Sequence, residues 1–443
     1  MRRGRGDVPG RGSYTRGGMQ ETLANVPAVG AVPARNVAAN ILGECMWGLQ
    51  WNMVLSSTVL VVALRHFGGE AQMIGSISAI EGGAMMLPQL LGLYFFRSHR
   101  RRKRQLIQWH FLAMLPMLPL MGGLMLAGAS LPPLVVRWGS LLAFAWYIGC
   151  IGMVGGAWWD WIANLFPERM RGTVIGVSFA GSAGTGALGA LVAAYLIETL
   201  GSPRAYGVLY LMAGVIAYIS ISLFMLVRDP ATEIPDDPPP TWAQLKERFR
   251  ASLAERNFRS YLFGRALAIW GFCVMPLMTA YYLAGGVSDA SAVRAGFAMT
   301  LAAASTHLVV GRMGDKFGYR VAMLITAACQ AVTLGVVLSG ASERGCYVAF
   351  AGAGVAGSAG FLSHTNLLFE TCPHDHRLAH ITLANALLSP WAIVGPLAAG
   401  GIARVWGYTP VFAGCLVISV LALVWAVGCV REPRGQRQRQ ATA

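Results

Sequence analysis

Three ionisable side chains, Glu81, Glu44 and Arg265, stand in stretches of sequence that are otherwise apolar. An ionised group at the centre of a membrane helix costs about 2.5–3.5 kcal/mol on insertion scales, so each demands a compensating purpose. Glu81 lies near the middle of its apolar run and is followed by Gly82 and Gly83. A carboxyl there can bind a proton and release it when a rearrangement changes its exposure; the alternative is a hydrogen-bonded carboxyl that ties helices together. Asn40, Glu44, Trp47 and Trp51 recur at helical spacing and share one face. Such a stripe could hold a solute, or Glu44 could reach the inner interface while the tryptophans pack. Arg265 could bind an anionic group, pair with a glutamate across a cavity, or snorkel to the interface. Trp270, in the same run, is a further aromatic candidate, and Tyr281 and Tyr282 fit either a binding role or an outer interfacial belt.

Lipid is the medium these residues imply. The 443-residue chain is 55% hydrophobic and 12% charged, with a mean hydropathy of +0.52, whereas soluble domains carry roughly 25% charged residues. A spanning helix needs about 20 mostly apolar residues. Apolar runs of that kind fall at about 37–64, 71–96, 105–128, 133–159, 172–197 and 206–227, then at 260–285, 289–310, 320–340, 346–370, 379–403 and 408–430. The fold class is therefore an all-α membrane protein of twelve transmembrane helices in two six-helix bundles, 37–227 and 260–430. A basic tail precedes them (1–36), a linker joins them (228–259) and a short tail follows (431–443). Thr241 opens TWAQLKERFR with a helix-cap signal, which predicts an amphipathic surface helix in the linker. Glycines recur along Val174–Tyr195, where small residues let membrane helices approach.

The net charge of +15 does not indicate nucleic acid, because the cations lie between the apolar runs. With both termini inside, 28 of the 35 Lys and Arg fall in inner segments and six in outer ones, Arg265 lying within a run. That asymmetry predicts cytoplasmic termini. Pro167-Glu168-Arg169-Met170-Arg171 follows the fourth run and Pro373-His374-Asp375-His376-Arg377 follows the tenth, an internal echo of the two halves. The eight cysteines form no CxxC pair, no metal-ligand spacing is visible, and no glycine-rich phosphate loop ends in Lys-Ser/Thr. No cofactor is expected, and an enzyme is disfavoured.

After the eighth run the chain reads Gly311-Arg312-Met313-Gly314-Asp315-Lys316-Phe317-Gly318-Tyr319-Arg320. This resembles the loop signature of the major facilitator superfamily, G-x-x-x-D-[RK]-x-G-x-[RK], with Gly311, Asp315, Lys316, Gly318 and Arg320 in the matching places. The resemblance implies that this cluster latches the two halves together on the inner side in the outward-open state. After the second run the signature is degraded: Gly92 is followed by Phe96 where the aspartate would fall, then by Arg102, Lys103 and Arg104. Asp160 or Glu168 with an arginine such as Arg171, and Glu370 with Arg377, are candidate gating pairs. Trp158, Trp159 and Trp161 are expected to be an interfacial anchor, and Arg97–Arg104 to set topology and touch anionic lipid.

The resemblance implies secondary transport of a small organic solute by alternating access. A proton is the expected coupling ion, through Glu81 with Glu44 second, and efflux is favoured over uptake. The alternatives are a uniporter or an uptake permease for a sugar or other metabolite, and a non-transporting receptor or assembly protein of the same fold. The expected setting is a monomer in the plasma (inner) membrane, with the small-molecule substrate, protons and the lipid bilayer as partners.

Overall fold

A computed structural model describes residues 33–98, 100–166, 168–229, 241–371 and 377–433. Among the described residues the elements are helices and the turns that join them. Eleven helical stretches are long and apolar enough to cross a membrane. The twelfth crossing, second in order, is made of two helices, Ala71–Met86 and Gln89–Phe95, interrupted at Leu87–Pro88. Large apolar side chains face outward on the bundle surface, among them Leu112, Leu142, Val332, Val424 and Trp406. That outward belt is what a lipid solvent selects.

The two spans that begin the halves are both broken. The first runs Ala34–Met53, leaves the helix at Val54–Leu55, makes a π-helical turn at Ser56–Leu60 and resumes at Val61–His66. The seventh runs Arg256–Gly271, is interrupted at Phe272–Val274 and resumes at Met275–Ala284 with Pro276 in its first turn. A proline there lacks only an N–H that the first turn leaves unpaired anyway. Several spans outrun their apolar segment. The fourth extends over Pro133–Leu165, and the eighth over Asp289–Phe317, stopping at Gly318 with φ +87°. Gly311, Asp315 and Lys316 thus lie inside a helix rather than in a loop. Trp242–Ala254 is the surface helix, with Thr241 and Gln244 forming a reciprocal capping box.

Each half is closed by the same two clamps at the end where the first span begins and the twelfth ends, called here the near face. Asn36 donates to the Arg228 carbonyl and accepts from the Arg228 N–H, both at 2.8 Å. Asn257 does the same with Arg431, at 3.0 and 2.9 Å. Lys103, opening the third span, donates to the Met225 and Val227 carbonyls at the end of the sixth. Arg320, opening the ninth, donates to Ala426 and Val427 at the end of the twelfth. Cations there satisfy carbonyls that a helix C-terminus leaves unpaired.

Close approach follows the glycines. A Cβ at Gly75 would come within 2.8 Å of both the Gly400 Cα and the Pro396 carbonyl oxygen, so the second and eleventh spans touch backbone to backbone. In the fifth span Gly181, Gly186 and Gly189 meet the first span, while Gly176 and Gly184 face open space.

Polar contacts between the halves concentrate at the far face. Arg294 pairs with Glu198, and Arg404 with Glu70 at 3.2 Å. Arg65 donates to the Ala280 carbonyl, and Tyr206 to Asp289 at 2.9 Å. At mid-depth Thr279 donates to the Ser57 carbonyl and Thr300 to Asn52 at 2.8 Å. Toward the near face a single such contact is present among the described residues, Asn385 to Gln89 at 3.0 Å. There the fifth and eighth spans expose Thr173, Val177, Ser305, Leu308 and Val309. The described polar contacts between the halves thus gather on the far side.

Candidate functional site

The two breaks meet between the halves. Ser56 and Ser57 lie in the π turn of the first span, and Thr279 just past the break of the seventh. Ser56 Oγ donates to the Glu81 carboxylate, and Thr279 Oγ1 to the Ser57 carbonyl. Gly82, the next residue after Glu81, packs against Ala392 of the eleventh span. Glu81 is thus one hydrogen bond from a backbone segment that itself bonds the opposite half.

A cavity of about 150 Å³ lies within the first half, walled by the first, third, fourth and sixth spans. Glu44 and Trp47 line it, together with Trp158, Trp159, His110 and Phe224. The rings form a continuous series. Trp51 stacks on Trp47 at 6.4 Å, Trp47 meets His110 edge-on at 6.4 Å, and His110 lies 5.3 Å from Trp158. Trp158 meets Phe224 at 4.7 Å. His110 Nδ1 is 2.7 Å from the Leu106 carbonyl oxygen, which places its proton there. Glu44 and Trp159 also line a second cavity of about 10 Å³ beside Asn40 and Ser178. The structure therefore joins Glu44 and Trp47 at one cavity and leaves Trp51 as the ring behind it.

Trp158 and Trp161 do not form an interfacial anchor. Trp158 faces the cavity, and Trp161, 2% exposed, donates to Asp229 at 3.2 Å. The fourth span continues past its apolar segment, so these positions still turn inward at helical phase. Tyr282 is no belt residue either, being fully buried, while Tyr281 packs on Tyr408 and Phe412. Trp270 is occupied inside the second half: its indole N–H donates to the Trp391 carbonyl at 2.7 Å.

Arg265 lies half-buried beside Gly360, with its NH1 3.1 Å from where a Cβ there would stand. No carboxylate among the described residues lies within ion-pair distance of it. Next to it runs a polar chain invisible in the sequence reading. Tyr261 and His364 Nδ1 are 2.6 Å apart, His364 Nε2 lies 2.8 Å from Asn385 Oδ1, and Asn385 bonds Gln89 across the halves.

The gating candidates distribute as follows. Asp160 pairs with Arg102, which also donates to the Phe96 carbonyl at 3.1 Å and is itself buried. Arg102 is therefore a structural cation of the first half rather than a lipid contact. Arg171 donates to the Phe166 carbonyl at 3.3 Å. Glu370 is half-buried at the end of the tenth span. The Arg377 and Glu168 side chains, and Pro167 and Pro373–His376, lie outside the described residues. In the signature cluster Tyr319 donates to Asp315 at 2.8 Å, Lys316 lies 5.1 Å from the Phe317 ring centre, and the Arg320 N–H donates to Glu432 at 2.9 Å. A Cβ on Gly318 would strike the Glu432 carboxylate. The described bonds of Asp315 and Arg320 thus include ties to Tyr319 and Glu432 of their own half.

Residues 272–443 match the family model described as Major Facilitator Superfamily. About nine-tenths of the chain superposes on solved transporters. A POT family transporter in complex with a thioalcohol-conjugated peptide aligns over 89% of this chain and 95% of its own, at 10% identity and a TM-score of 0.66. A D-xylose–proton symporter aligns over 91% and 99%, at 14% identity and a TM-score of 0.65. The fold is that of the Major Facilitator Superfamily. A bacterial homologue of the human lysosomal transporter Spinster, solved inward-facing and occupied, aligns over 89% and 96%, at 13% identity and a TM-score of 0.60. No curated protein matches the sequence. Within the Major Facilitator fold, this chain departs from the superfamily signature in its first half: Asp160 of the fourth span, not a loop aspartate at Phe96, holds Arg102.

Proposed function

We propose that this protein is a proton-coupled secondary transporter that moves a small organic solute by alternating access. One observation carries the reading. The described polar contacts between the halves gather at the far face and at the two helix breaks, with one, Asn385 to Gln89, toward the near face. A transporter needs the reverse arrangement to be reachable as well, and the Gly311–Arg320 cluster stands at the near end of the eighth span, where closure would bring the halves together. Discontinuous helices at matching places in both halves favour a mid-depth site. Glu81 couples a proton to the motion, because it holds Ser56 of the segment that Thr279 grips from the other half. The Lys and Arg distribution supports cytoplasmic termini, which makes the near face cytoplasmic, and a plasma-membrane location.

The test is reconstitution into vesicles with an imposed pH gradient and a panel of radiolabelled organic solutes. The expected result is concentrative flux of at least one solute in the wild-type protein. In Glu81→Gln, gradient-driven accumulation is lost while the protein stays folded. Gradient-driven flux unchanged in Glu81→Gln removes that residue from coupling.

A further inference from the structure

The cavity around Glu44 is built for one kind of charge. Glu44 is the only acid lining it, and among the described residues no Lys, Arg or His comes within ion-pair distance of its carboxylate. The Trp158 indole lies against that carboxylate, and Trp47, Trp159 and Phe224 complete an aromatic wall. One turn before Glu44, on the same helix face, Asn40 is 2% exposed. Its Nδ2 is spent on Ser178 Oγ at 2.8 Å, while its Oδ1 has no partner. Two polar groups of the wall are already engaged: Ser220 Oγ donates to the Gly43 carbonyl at 2.8 Å, and His110 Nδ1 is held by Leu106. What the cavity presents is a carboxylate with no counter-charge and the faces of aromatic rings, while the Asn40 oxygen lies in the smaller neighbouring cavity.

We infer that this cavity binds the cationic head of an organic ammonium compound. A buried carboxylate without a counter-charge is costly, and a bound cation supplies the missing partner. Aromatic faces attract the same charge through the ring quadrupole, tryptophan most strongly, and a dry surround strengthens that attraction. An anionic solute would meet Glu44 with no compensating cation, and a neutral one would leave the charge unpaired. About 150 Å³ admits an ammonium head with a short apolar arm. The inference names the substrate class for the transporter reading above and rests on it for physiological meaning, but binding itself is measurable without transport.

The experiment uses the full-length protein in lipid nanodiscs and radiolabelled benzyltrimethylammonium, whose charge does not vary with pH. Neopentylbenzene, of the same shape without the charge, serves as competitor. The expected result is saturable binding that neopentylbenzene does not displace, weakened at least about tenfold in Glu44→Gln, a loss of 1.4 kcal/mol or more. Trp158→Leu weakens binding and Trp158→Phe retains most of it. Thermal melts confirm that each variant is folded, and Glu44→Asp, which keeps the charge, replaces Glu44→Gln if the latter does not fold; it binds the cation more weakly than wild type. Absence of saturable binding, equal competition by the neutral isostere, or wild-type affinity in folded Glu44→Gln overturns the cation site. Binding without flux of any solute overturns the transporter reading alone, and gradient-driven flux without cation binding overturns this inference alone.

Discussion

Glu81 and Glu44 are both acids in the first half, and their surroundings separate their work. Glu81 bonds a serine in a π-helical turn that touches the other half, whereas Glu44 faces a cavity of rings inside its own half. Ser56→Ala should therefore weaken the dependence of flux on the pH gradient and leave cation affinity in place; an affinity loss with normal coupling would reverse the assignment. Asp229, just outside the sixth span, gives a second check at this scale. Burial outweighs its Trp161 hydrogen bond and the nearby Lys103 and Arg102 charges, pushing its carboxyl above the ordinary aspartate range. The folded chain then keeps a proton that the unfolded chain has released, so stability falls as pH rises from the ordinary value through the raised one. Asp229→Asn should flatten that part of a plot of thermal midpoint against pH, and an unaltered slope would mean another group causes it. Sequence patterning found Glu44 and Trp47 because helical spacing is visible in one dimension. It misplaced Trp158 and Trp161, since three tryptophans near a span end look like a belt until the helix is seen to continue to Leu165.

At the scale of elements, the near-face clamps repeat with more fidelity than the repeat that drew notice in the sequence. Val227-Arg228-Asp229-Pro230 and Val430-Arg431-Glu432-Pro433 are the better echo, and each Arg backbone is gripped by an asparagine that opens the half. That signal was available, but its meaning depends on Asn36 and Asn257, 192 and 174 residues from their partners. Asn36→Ala and Asn257→Ala each remove two hydrogen bonds, about 1–3 kcal/mol together. The two variants should lower the thermal midpoint by similar amounts; a drop in only one would show that the halves are not equivalent. Gly318 takes a backbone conformation open essentially to glycine, and a side chain there also meets Glu432. Gly318→Ala should cost about 1–3 kcal/mol, read as a lower melting temperature, and an unshifted melt would contradict the close packing. The spans were legible because apolar length is a local property. The breaks at Val54–Leu55 and Phe272–Val274 were not, because neither is marked by an internal proline and both are held by contacts from other helices.

For the whole molecule, the claim is that one set of contacts must open as another closes. Among the described residues the far face holds two ion pairs and three further hydrogen bonds between the halves, while toward the near face one, Asn385 to Gln89, is described. No sequence pattern reports which face is shut, because the same residues serve both states. Spin labels at Thr199 and Arg344 on the far face, and at Thr173 and Arg312 on the near face, would read both gaps by pulsed electron resonance in a background freed of native cysteines. The account predicts two populations whose distances move in opposite senses, near gap closing as far gap opens, with proportions that shift with pH and stop shifting in Glu81→Gln. Distances that stay single under every condition, or that lengthen together, would contradict it.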